Sequence, residues 1–205
     1  MRNWLRLTRK QWNGESDMRI EIRFAGFGGQ GIIRSGIITA AAACIYSGKS
    51  AVQTQSYGPE SRGGACKSEV VISEEEIDFP KVVEPDILIV MSQHAYNDYA
   101  EDVKADGIII MDPDMIPNEK DLTSVRVFRI PATKIAEELG RKIVANIVML
   151  GAFVAITKIL DKDAVKESVK ANIPKGTEEL NLIAFEKGYE YADNLLKSNL
   201  SRLLR

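Results

Sequence analysis

The order of apolar segments along this chain predicts an α/β fold: a Rossmann-like, mostly parallel sheet flanked by helices, with a helical C-terminal region. Three features carry that expectation. A strand pattern, RIEIRFA, runs into the glycine turn GFGGQG and then into the helix-forming segment IIRSGIITAAAACIY. Two continuous apolar runs, DILIVM and GIIIMD, have the composition of central strands covered on both faces. Beyond residue 131 the pattern is helical to the end of the chain.

Taken in order, residues 19–25 alternate polar and apolar side chains, which puts Ile20, Ile22 and Phe24 on one buried face. Residues 32–46, rich in Ala and Ile, predict a helix pressed on the sheet, with Gly48 as its stop. Residues 49–54 predict a short second strand. The stretch QSYGPESRGG over residues 55–64 holds three glycines and a proline and is expected to be a loop throughout. Strands follow at residues 68–73, 86–91 and 107–112, and between the last two lies a helix, SQHAYNDYAEDVK, with Ser92 as N-cap. A further strand at 125–131 precedes helices over residues 132–139, 141–160, 162–171 and from 177 to near 203. In the last helix Leu180, Ile183, Ala184, Tyr191, Leu195 and Leu196 stand at near-helical spacing, as one packed face would require.

Composition narrows the function. A formal net charge of −2 gives no sequence-wide basic field to hold nucleic acid. Cys44 and Cys66 stand in no CxxC pair and cannot supply the four thiolates of an iron–sulfur cluster or a structural zinc site. Such sparse cysteine usage fits a reducing, cytoplasmic compartment. The most apolar segment, residues 143–156, is shorter than the about 20 residues that span a bilayer and carries Asn146; no membrane span is expected. Residues 1–17 hold both tryptophans and four basic residues without periodicity, and are expected to be a disordered N-terminal extension ahead of a domain at 18–205, with Met18 as an alternative start.

Gly26, Gly28 and Gly31 satisfy GxGxxG between strand and helix, where backbone N–H groups and the helix dipole can receive an anion. The plain alternative is that these glycines only let helix and strand approach. A nicotinamide site also needs a carboxylate about 20 residues on, at the end of the second strand; Gln53 and Gln55 occupy that place, and Glu60 falls inside the following loop. That loop has other resources. Arg62 can grip a phosphate with two parallel hydrogen bonds, Ser61 and the backbone of Gly63 and Gly64 add donors, and Tyr57 offers a flat face for stacking. If the sheet brings both loops to the carboxyl ends of the strands, they face one ligand.

The segments GFGGQGI (26–32), QSYGPESRGG (55–64), PDILIVMS (85–92) and NIVMLGA (146–152) together resemble the gamma subunit of 2-oxoacid:ferredoxin oxidoreductases, over about residues 19–196. The resemblance implies a multi-subunit enzyme that oxidatively decarboxylates a 2-oxoacid with coenzyme A to acyl-CoA and CO2, reducing ferredoxin. Thiamine diphosphate with magnesium and the iron–sulfur clusters would sit on partner alpha and beta subunits, with delta as a further member, and no catalytic or metal-binding residue is expected on this chain. Carried across, Gly28, Gly29, Gln30 and Gly31, with Tyr57, Gly58, Pro59, Glu60, Ser61, Arg62, Gly63 and Gly64, are the candidates for coenzyme A binding. Among the 2-oxoacids 2-oxoglutarate is favoured, and a homodimer of the isolated subunit is carried as an expectation. Two alternatives stay open: a self-sufficient NAD- or flavin-binding oxidoreductase, and a non-catalytic assembly module.

The remaining chemistry-bearing residues have plainer readings. His94, the only histidine, has no partner visible in the sequence. Cys44 is expected in the core and Cys66 as a structural thiol near the site. Asp112 and Asp114, flanked by prolines, read as shaping a turn and not as a metal pair.

Overall fold

The computed structural model describes residues 19–57 and 65–203. The expected extension at residues 1–17, and the candidates Gly58, Pro59, Glu60, Ser61, Arg62, Gly63 and Gly64, lie outside the described residues. The elements in chain order are β1 (Arg19–Phe27), α1 (Ile32–Ser47), β2 (Ser50–Tyr57), β3 (Ala65–Ser73), β4 (Ile87–Val90), α2 (Gln93–Tyr99), β5 (Ile108–Met111), β6 (Arg126–Arg129), α3 (Ala132–Glu138), α4 (Ala145–Thr157), α5 (Lys162–Asn172) and α6 (Glu178–Leu203).

The strands form one sheet in the order β2-β3-β1-β4-β5-β6. β1, β4, β5 and β6 pair in parallel, whereas β3 runs antiparallel to both β1 and β2. The sheet is therefore mixed, although β3 alone opposes the common strand direction. Connection length decides this. Residues 58–64 are too few for the crossover of a dozen or more residues that a parallel pair needs, so β2 and β3 close as a hairpin. The hairpin also corrects the expected loop over residues 55–64. Gln55, Ser56 and Tyr57 continue β2 opposite Ser68, Lys67 and Cys66, because each keeps a backbone N–H for the ladder and the breakers begin only at Gly58.

Ile20, Ile22 and Phe24 lie on the expected buried face of β1. The opposite face is covered as well, by Ala95, Tyr96 and Ala100 over Ala25, Leu88, Val90 and Ile109. Beyond the reach of α2 that face carries Arg23, buried and donating to Glu69 (2.7 Å), Asp102 (2.9 Å) and the Val82 carbonyl (3.1 Å). The guanidinium thereby ties the 74–86 segment to the sheet, and its charge is paired rather than stranded.

On α1 the buried stripe runs through Ser35, Ile38, Thr39, Ala42 and Ala43. One residue further is a turn of about 100° away, so Cys44 points outward; its expected place in the core is overturned. The helix stops at Gly48, left-handed at φ 67°. On α6 the packed face is also shifted from expectation. Asn181, Ala184, Phe185 and Ala192 are buried, while Ile183 and Tyr191 face outward. Gly188 sets this phase, since a Cβ there would stand 1.9 Å from the Val148 carbonyl oxygen, and one on Gly151 of α4 would stand 2.0 Å from that of Phe185. No helix among the described residues is long and apolar enough to cross a membrane.

Gly188→Ala tests this contact by sign. At an uncrowded helix site the change would stabilise by about 1 kcal/mol; here overpacking costs about 1–3 kcal/mol. Thermal unfolding should show Tm lowered by roughly 2–4 °C per kcal/mol lost, and an unchanged or raised Tm would contradict the close crossing.

Candidate functional site

The glycine turn closes where β1 ends. The Gln30 N–H donates to the Phe27 carbonyl at 3.2 Å, and Gly29 and Gly31 adopt φ of 102° and 75°, conformations that favour glycine. Gly26 answers to a different need: a Cβ there would stand 2.4 Å from Gln30 Oε1. Gly31 caps α1 without a side-chain bond, which leaves the first-turn N–H groups uncapped by any side chain and the positive end of the helix at the turn.

Gln30 is held at both ends of its amide. Its Oε1 accepts from the Phe27 N–H (2.9 Å) and its Nε2 donates to the Met91 carbonyl (2.6 Å). It is a strut between the ends of β1 and β4, leaving Gly28, Gly29 and the helix N-terminus as the open part of the motif. Asn146, near the start of α4, fixes the other side by donating from Nδ2 to the Gly31 carbonyl at 3.3 Å. The sequence reading took this segment as a buried or interface helix and gave Asn146 no part in the site. A lone amide inside a fully apolar run was the available signal.

A cavity of ≈ 700 Å³ opens beside the turn, bounded by the start of α1, the start of α4 and the α5–α6 connection. Its wall is mainly aliphatic, and its charged residues are the exposed Arg34 and Arg141. Cys66 also lines it, and burial pushes that thiol's pKa up. Ala65 pairs with Phe27 and Cys66 with Tyr57, so both ends of the 58–64 connection are anchored at the sheet edge that carries the glycine turn.

The dinucleotide alternative loses a further support here. Gln53 Nε2 donates to Ser68 Oγ at 2.7 Å, and β3 separates its strand from β1; in dinucleotide-binding sheets those two strands are neighbours. His94 is exposed, 3.7 Å from Asp98. Asp112 is fully buried and accepts from Thr133 N (2.7 Å), Thr133 Oγ1 (2.6 Å) and Asp114 N (3.1 Å), which ties the end of β5 to α3 and fits the turn reading. Burial raises its carboxyl pKa.

Over residues 21–191 the chain matches the family described as pyruvate ferredoxin/flavodoxin oxidoreductase. The chain belongs to that family. It is 55% identical over 180 residues to the 2-oxoglutarate synthase subunit KorC of Methanocaldococcus jannaschii, covering 87% of this chain and 96% of that one. The solved gamma subunit of keto/oxoacid ferredoxin oxidoreductase from Geobacter sulfurreducens PCA superposes with a TM-score of 0.75 at 42% identity, covering 84% of this chain and 98% of that one. The 2-oxoglutarate:ferredoxin oxidoreductase from Magnetococcus marinus, solved with 2-oxoglutarate, coenzyme A and succinyl-CoA bound, superposes with a TM-score of 0.76 at 27% identity, over 86% of this chain and 31% of that larger one. The resemblance read from the loops therefore holds: this is a gamma-type subunit of a 2-oxoacid:ferredoxin oxidoreductase complex.

Thiol labelling checks the placement of the two cysteines. With iodoacetamide near pH 8 the native chain should take label at the exposed Cys44, and at Cys66 only after unfolding, because a buried thiol of raised pKa presents little thiolate. Fast native labelling of Cys66, followed by peptide mapping, would contradict the burial of its thiol.

Proposed function

We propose that the complex served by this subunit oxidatively decarboxylates 2-oxoglutarate, and that the subunit's own share is to hold coenzyme A and to dock on the catalytic chains. The observation that carries the coenzyme A part is the convergence of an uncapped helix N-terminus, a cavity lined by two exposed arginines, and both anchors of the 58–64 connection at one end of the sheet. The 55% identity to a 2-oxoglutarate synthase subunit supports the substrate. Thiamine diphosphate with magnesium, and iron–sulfur clusters passing electrons to ferredoxin, supply the redox chemistry from the alpha and beta subunits, with delta as a further member. Both cysteines are free thiols, which fits a cytoplasmic setting.

In this reading Gly28, Gly29 and Gly31 let the diphosphate approach the first-turn N–H groups of α1. Arg62, with Ser61, Gly63 and Gly64, takes the 3′-phosphate, and Tyr57 stacks on the adenine. The chain binds and orients; it moves no proton of the reaction. Arg62→Ala should raise the apparent KM for coenzyme A by roughly 10- to 100-fold, the value of a charge-assisted hydrogen-bond pair, with a smaller change in kcat. An unchanged KM in the assembled enzyme would remove Arg62 from phosphate binding.

The docking part rests on the outer face of α1, where Ile37 and Ile45 are exposed, Ile45 at 72%. Large apolar side chains gathered on one surface mark an interaction site. Ile45→Asp should abolish co-purification of the catalytic subunits while leaving the circular dichroism of the isolated chain unchanged. Recovery of the complex at full stoichiometry would place the contact elsewhere.

A further inference from the structure

The two edges of the sheet are built differently. β6 closes one side with four residues and an arginine at each end, Arg129 in an ion pair with Glu119. Short length and charge are the ordinary protection of a free edge. β2 closes the other side with eight residues, SAVQTQSY, and has neither. It contains no charged residue, proline or glycine. Its register runs one to one from Ser50 opposite Ser73 to Tyr57 opposite Cys66, so no bulge turns the edge away.

The ladder says which backbone groups of β2 are free. The Asp86 N–H donates to the Glu21 carbonyl and the Met91 N–H to that of Ala25, so Glu21, Arg23 and Ala25 turn their backbone groups to β4. Alternation then turns Ile20, Ile22 and Phe24 to Ile72, Val70 and Ser68 of β3. That leaves Lys67, Glu69, Val71 and Ser73 to bond Ser56, Thr54, Val52 and Ser50 of β2. Ala51, Gln53 and Gln55 therefore point their N–H and C=O groups away from the sheet.

α1 overlooks this edge with an apolar face. A Cβ on Gly36 would stand 2.0 Å from Ser68 Oγ and 3.5 Å from Gln53 Cγ, which sets the helix across β3 and β2. To one side Ile32 meets Gly26 of β1. Around the helix in the opposite sense, at about 100° per residue, come Ala40, Ile33, Cys44 and Ile37, half-buried or exposed. Arg34 is the only charged residue of α1.

A row of free backbone groups beside an apolar helix face suits an added strand, whose main chain supplies the bonds and whose alternate side chains find the helix. The relatives say where such a strand comes from. The matched region is 96% of the Methanocaldococcus jannaschii subunit but 31% of the Magnetococcus marinus polypeptide. In the short form, surface contact has to replace the peptide link to the rest of the enzyme. The inference rests on the reading that this chain docks on the catalytic chains, and says how it is held there. We infer that an extended, uncharged segment of a catalytic chain pairs with β2 at Ala51, Gln53 and Gln55 and adds a seventh strand to the six-stranded sheet.

Hydrogen exchange of the full chain, alone and in the assembled complex, tests this. The amides of Ala51, Gln53 and Gln55 should exchange freely in the isolated chain and slow by about a hundredfold or more on assembly, while those of Val52 and Thr54 are protected in both. Rates unchanged by assembly would overturn the inference. So would slow exchange of all five amides in the isolated chain, since the edge would then be covered by the chain itself or by a second copy, which sedimentation distinguishes. Gln55→Pro removes an outward N–H and no bond of the β2–β3 ladder, and should weaken assembly about tenfold or more, whereas Gln55→Ala, which keeps the N–H, should assemble as the wild type does. Equal assembly of both variants counts against the strand; if the proline variant does not fold, the exchange rates of the wild type decide alone. A chain that co-purifies with the catalytic subunits but keeps fast β2 exchange loses only the added strand. One that fails to co-purify with them loses the docking reading and the strand together.

Discussion

A helix whose thirteen residues are all buried has no side to turn to water, and the enclosure of α4 is the constraint around which the rest of the domain is arranged. The sheet, α1 and α3 cover part of it and α6 packs along another side. The second contact is possible only because Gly151 and Gly188 bring backbone against backbone, so that dispersion contacts replace side-chain interdigitation along the crossing. Once α4 is seated, its first turn lies at the end of β1, and Asn146 meets the glycine turn. Core and site are thus joined through one amide: what fixes the helix also fixes the floor of the cavity.

The fold was legible where periodicity is strong and local. Strand β1, the glycine turn, the stop at Gly48, the cap at Ser92 and the C-terminal helices all follow from patterns that a few neighbouring residues impose. The insertion of β3 between β1 and β2 was not legible in this way, because strand order is decided by long-range pairing and by the length of a connection. Arg23 was hidden for a related reason. An alternating strand advertises a charged residue as solvent-facing, and only the arrival of Glu69, Asp102 and the 74–86 segment buries it. Cys44 and the face of α6 depended on helical phase, which in α6 is set by the close approach at Gly188 and which hydrophobicity alone does not fix.

The candidate site was legible in one half and silent in the other. GxGxxG is readable because backbone conformation restricts side-chain choice, so the residue types announce the geometry. Asn146 and Asn181 carry no such mark. Each is an isolated polar residue in a helix: Asn146 finds the Gly31 carbonyl only once α1 and α4 are in place, whereas Asn181 bonds the Thr177 carbonyl four residues back. Gln30 is the converse case: a residue inside the motif whose side-chain amide spans the ends of β1 and β4.

The reversed direction of β3 has a consequence for how such a domain can diverge. A crossover loop in a parallel sheet has to travel over a face, and its length is bound to the helix it carries. The 58–64 connection instead leaves and re-enters the sheet at adjacent strand ends, both locked into the ladder. Its two ends are fixed by the pairing of Phe27 with Ala65 and of Tyr57 with Cys66, so the strand register at this end of the sheet is set by residues outside the connection.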